Sequence, residues 1–64
     1  MTSRELLRRL RRLGVEIVSD RGKGGHVMVR REGRIIYVPT GSGEIASGTL
    51  AGILKALELR KEQL

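Results

Sequence analysis

The chain has no cysteine, tryptophan or phenylalanine, and only one tyrosine, one histidine and one proline. Without cysteine there is no disulfide, no thiolate nucleophile and no Cys-ligated zinc or iron–sulfur site, which suits a reducing compartment. With Tyr37 as the sole aromatic, a platform that stacks several single-stranded bases is poorly supplied, so a nucleic-acid partner would be held mainly through phosphates. No run approaches the roughly 20 apolar residues of a membrane span, and Met1 leads into charged residues rather than an apolar signal region. The expected location is the cytoplasm, with no membrane partner.

At 64 residues the expectation is one domain over 1–64, and domains of that size bury only about 60% of the surface their unfolded chain exposes. A partner, or weak self-association into a homo-oligomer, would add stability. Thirteen Lys and Arg against seven Asp and Glu leave a net charge of +6, which points to a polyanion, RNA first. An acidic protein is a second candidate partner, and a membrane surface ranks last because the leucines of the leading segment are used by the expected core.

"TSRELLRRLRRLG" places Thr2 three residues before Glu5 as a capping box, and Leu6, Leu7, Leu10 and Leu13 on one helical stripe, with Gly14 as the stop. Arg4, Arg8, Arg11 and Arg12 gather on an arc away from the leucines, with Arg9 on the other flank. Such a stripe is either a solvated face or a track for phosphates.

"VEIVS" (15–19), "HVMVRR" (26–31) and "RIIYV" (34–38) are expected strands, the last two joined by a two-residue Glu32-Gly33 turn. That register opposes Arg31 to Arg34, Arg30 to Ile35, Val29 to Ile36, Met28 to Tyr37 and Val27 to Val38. Val27, Val29, Ile36 and Val38 then share an apolar face for the helices, while His26, Met28, Arg30, Ile35 and Tyr37 share the other. Pro39 ends the third strand and "TGSGEIASG" is a loop that lacks the lysine of a phosphate-binding loop. Leu50, Ile53, Leu54 and Leu57 mark a second helix, with Ser47 or Thr49 as its cap, Arg60 and Lys61 at its far end, and Gly52 inside it, where a close packing contact would explain a glycine. The expected fold is α+β in the order α-β-β-β-α: a three-stranded antiparallel sheet with two helices on one face, as in double-stranded-RNA-binding domains.

His26 follows "RGKGG". Histidine, with an ordinary pKa of about 6.5, exchanges protons near neutral pH, and cleavage of RNA by its own 2′-hydroxyl needs a base, an acid and phosphate donors but no metal or other cofactor. Gly22, Gly24 and Gly25 allow close backbone approach, Arg21 and Lys23 supply cations, and Arg30 and Tyr37 lie on the same face as His26. The second proton-transfer group is Lys23, Tyr37 or a water. The competing reading is a solvent-facing histidine at an ordinary glycine-rich turn, in a module that binds RNA without cutting it through Arg4, Arg8, Arg11, Arg12, Lys23 and Arg30.

"LRRLGVEIV", "GGH", the "EGR" hairpin running into "VP", and "SGTLAGILKALEL" together resemble the HicA toxins, small mRNA interferases of toxin–antitoxin pairs. The resemblance spans nearly the whole chain. It implies the double-stranded-RNA-binding-like fold, mRNA cleavage with His26 as the catalytic residue of a Gly-His motif at 25–26, and neutralisation by a HicB antitoxin. Many members carry Ser where Gly25 stands, and often a further His after the proline, whereas "PTGSG" has none and so lacks that candidate proton donor.

Overall fold

In the computed structural model, which describes residues 1–18, 25–41 and 43–64, the chain runs α1 (Ser3–Arg12), β1 (Glu16–Val18), β2 (His26–Arg31), β3 (Arg34–Pro39), α2 (Ser47–Ala56) and a closing 3₁₀ turn (Lys61–Gln63). The sheet is antiparallel in the order β1-β2-β3, so the α-β-β-β-α expectation holds.

The hairpin has the register that alternation dictates, with Arg31 opposite Arg34 and Val27 opposite Val38. Glu32 and Gly33 both take positive φ, 50° and 80°, the mirror-image turn that matches strand twist. The pairing runs one residue further than expected, because β3 includes Pro39 opposite His26. β1 is Glu16–Val18, shorter than the 15–19 expected; Ser19 lies outside the described residues.

Val29 and Val38 are fully buried beneath Leu6 and Leu10 of α1 and Leu50, Ile53 and Leu54 of α2, joined by Leu57 and Leu59. Both helices therefore cover one face of the sheet. The opposite face carries Glu16, Val18, His26, Met28, Arg30, Ile35 and Tyr37, and Ile35 and Tyr37 are its exposed large hydrophobic side chains.

Four local expectations change. Thr2 caps α1 by accepting from the Glu5 N–H at 3.1 Å, but the Glu5 carboxylate accepts from Arg9 one turn on rather than reaching back, so only half the capping box forms. The cap of α2 is Ala46, with no side-chain bond, rather than Ser47 or Thr49. An antiparallel bridge between Thr2 and Glu44, continued by the Ile45 N–H donating to the Met1 carbonyl, precedes the helix; Ala46 is still extended at ψ 150°, and the helix starts after it at Ser47. Arg60 and Lys61 lie beyond the end of α2, which stops when Glu58 turns left-handed at φ 57°; Lys55 stands in its last turn, and Arg31 and Arg34 reach that end from the hairpin. A Cβ at Gly52 would meet nothing within 4 Å, so no packing contact requires that glycine.

Candidate nucleic-acid interface

His26 opens β2 on the uncovered face and is exposed. Its position is set by the residue before it: Gly25 has φ +96°, a conformation glycine adopts without strain, and its carbonyl accepts from the Thr40 N–H at 2.6 Å. A Cβ built on Gly41 would lie 3.5 Å from the Gly25 Cα. The bare backbone of Gly25 and that of Gly41 thus lie side by side at the open end of the hairpin, directly before His26 in the chain.

Around the strand end, on the helix side, lies a groove of about 470 Å³ lined by Ser3, Arg4, Leu7, Arg8, Arg11, Val27 and Thr40. Three of the four arginines of the predicted stripe therefore line a concavity together with Val27, which follows His26 in β2, and Thr40, which donates to the Gly25 carbonyl; His26 itself, on the opposite face of the sheet, does not line it. Arg12 is exposed on the same helix but does not line the groove.

The arginines divide by what they hold. Arg9 donates to Glu5 and to the Leu64 carbonyl, Arg30 forks onto Glu16 at 2.6 and 3.0 Å, Arg31 donates to the Leu57 carbonyl and Arg34 to Glu58. Arg4, Arg8, Arg11 and Arg12 have no partner among the described residues. Pairing within the chain thus occupies one set of guanidinium groups and leaves another, along one helix face, available to an outside anion.

Of the sequence-predicted site residues, His26, Arg30 and Tyr37 share the uncovered face, with Tyr37 diagonal to His26 because Met28 and Pro39 are their direct partners. No hydrogen bond joins Tyr37 to His26. Arg30 is on the predicted face, but its guanidinium is taken by Glu16. Arg21, Gly22, Lys23 and Gly24 lie outside the described residues. Thr40 and Ser3, which line the groove, went unnoticed in the sequence; carrying the hairpin register one pair further would have placed Thr40 beside Gly25.

A larger groove of about 520 Å³ runs between α2 and the closing turn, lined by Leu50, Leu54, Leu59 and their neighbours and by none of the predicted site residues. Among the described residues no helix is long and apolar enough to cross a membrane.

No curated protein matches the chain. The family model of the HicA toxin of bacterial toxin–antitoxin pairs matches residues 3–59, from the first residue of α1 to the buried Leu59, and the chain belongs to that family.

Proposed function

We propose that this HicA-family toxin is a metal-independent endoribonuclease of 1–64 acting on mRNA in the cytoplasm, with His26 as its acid–base residue. One observation supports this most directly. The exposed His26 immediately precedes Val27, which lines, on the other face of the sheet, a groove shared with three arginines that have no partner among the described residues.

In this reading a single RNA strand lays its phosphates along Arg4, Arg8 and Arg11, with Arg12 alongside, and turns over the bare backbone at Gly25 and Gly41 to bring one linkage to His26. The neutral imidazole takes the proton of the 2′-hydroxyl, whose oxygen attacks the adjacent phosphorus. The bond to the 5′-oxygen breaks, that oxygen takes a proton from Lys23, Tyr37 or a water, and the products are a 2′,3′-cyclic phosphate and a 5′-hydroxyl. Arg21, Lys23 and the N–H groups of Gly24 and Gly25 supply donors for the charge that builds on the phosphate. A HicB-type antitoxin silences the toxin by covering this basic face and His26, and the net charge of +6 calls for an acidic covering surface.

The test is cleavage of a defined single-stranded RNA in EDTA by the parent chain and by His26→Ala, both checked for folding by circular dichroism. The expected result is cyclic-phosphate ends from the parent and RNA binding without cleavage by the variant. Equal cleavage by both, or binding without cleavage by either, leaves a non-catalytic RNA-binding module of the same fold.

A further inference from the structure

Tyr37 is the only aromatic residue of the chain, and its side chain is out in solvent: it is 55% exposed, in the middle of β3, on the face the helices leave uncovered. Side chains on a strand stand roughly perpendicular to the sheet, so a ring there presents itself outward. The register opposes Met28 to Tyr37 and Pro39 to His26, which makes Tyr37 and His26 diagonal neighbours on adjacent strands, about 7–8 Å apart. That spacing is comparable to the distance between a base and the phosphate next to it.

The arginines of the groove over α1 offer charge to phosphates rather than a planar surface to bases, and a phosphate track alone lets a strand slide. A transesterification needs the 2′-oxygen, the phosphorus and the leaving oxygen in line, so the nucleotide at the cut has to be fixed as well. The other groups on the uncovered face are poorly suited to hold it, since Arg30 is occupied by Glu16, and Ile35, Met28 and Val18 are aliphatic. Among the described residues of that face, with the His26 imidazole engaged at the phosphate, the ring of Tyr37 is the surface that matches the flat face of a base, and stacking accepts any of the four.

Resting on the endoribonuclease reading above, we infer that Tyr37 is a positioning residue that stacks on a single unpaired base next to the scissile phosphate, through its ring rather than its hydroxyl. Because one ring holds one base, the grip is local, and most of the affinity still comes from phosphates. Tyr37→Phe keeps the ring and therefore the affinity, whereas Tyr37→Leu, similar in size and apolar but without a π face, loses affinity.

The chain offers its own probe. With no tryptophan, all of its tyrosine emission belongs to Tyr37. The experiment titrates the parent chain with a short single-stranded RNA bearing 2′-O-methyl groups throughout, which removes the internal nucleophile, and follows Tyr37 emission alongside the anisotropy of a label on the RNA. Cleavage of the unmodified RNA by the parent, Tyr37→Phe and Tyr37→Leu is measured in parallel. Expected are quenching that saturates together with the anisotropy and is lost when the oligomer is abasic, binding by Tyr37→Leu weaker by about 5- to 150-fold, and a rise in KM for Tyr37→Leu that Tyr37→Phe does not share. Binding that leaves Tyr37 emission unchanged overturns the inference and assigns the face to another contact, such as a protein partner. A Tyr37→Phe variant that binds normally but loses kcat overturns it in favour of the phenol as a proton donor. Quenching without cleavage sustains the stacking role while removing the endoribonuclease reading, and absence of RNA binding removes both.

Discussion

Arg31 donates from Nη1 to the Leu57 carbonyl oxygen at 2.7 Å, fastening the turn end of the β2–β3 hairpin to the last turn of α2. Leu57 is the C-cap residue, so its carbonyl is one of those the helix cannot satisfy itself. Next to it Arg34 pairs with Glu58 at 2.8 Å. The two arginines that flank the turn thus meet the negative end of the helix dipole.

Arg31→Met should therefore destabilise the fold without weakening RNA binding much. The loss of a charge-assisted bond to a partly buried carbonyl amounts to about 1–2 kcal/mol, which in a domain this small lowers Tm by roughly 4–8 °C per kcal/mol. Thermal denaturation of parent and variant, with an RNA titration of each, checks both halves.

The α1 arginines should behave in the opposite way. Arg8→Gln and Arg11→Gln remove groove-lining cations that have no partner among the described residues, so stability should stay within about 0.5 kcal/mol. Each should reduce the slope of log affinity against log salt by about 0.7 for a single strand. An unchanged slope would place the RNA elsewhere on the surface.

The contrast between these two sets of arginines marks how far local pattern reaches in this chain. Alternation and the Glu32-Gly33 turn determined the hairpin register, since a one-residue slip would expose Val29 and Val38 and bury Arg30. The leucine spacing likewise marked both helices, and the arc of Arg4, Arg8, Arg11 and Arg12 was visible at about 100° per residue. What local pattern could not supply was anything made by distant segments meeting. Arg30 and Arg31 are adjacent in the chain, yet one meets Glu16 and the other Leu57. The start of α2 depends on an extended bridge to Thr2 at the other end of the sequence, so Ala46 became the cap although Ser47 and Thr49 are better capping residues. The groove has the same origin, since Ser3, Val27 and Thr40 come together only when β2 is laid beneath α1.

Glycine to alanine substitutions should have opposite signs at two positions. Gly52 lies mid-helix in open space, and Gly52→Ala should stabilise the chain by about 0.5–1 kcal/mol. Gly25 holds φ +96° with the Gly41 backbone 3.8 Å from where a Cβ would sit. Gly25→Ala should cost about 1–2 kcal/mol, and because Gly25 sets the start of β2, it should disturb His26 as well. A serine brings the same Cβ to this φ, so in this chain Gly25→Ser should also lower Tm. Urea denaturation of the three variants checks the signs.

Arg30 shares the face of His26 but is held by Glu16 through two bonds to one carboxylate oxygen. Both side chains are about half exposed, 52% and 53%, and a pair so solvated contributes no more than about 1 kcal/mol to stability. Glu16→Gln should therefore leave Tm nearly unchanged. It also removes a negative charge from the face that RNA approaches and frees a guanidinium two residues along the strand from Met28, the residue opposite Tyr37. If RNA crosses that face, binding should tighten several-fold at low salt, and the gain should fade near 1 M salt, where the screening length shrinks to about 3 Å. If RNA keeps to the α1 groove and touches the sheet only at its His26 end, affinity should be the same for parent and variant at every salt concentration. The titration thus decides whether the strand continues along β2 after passing the imidazole.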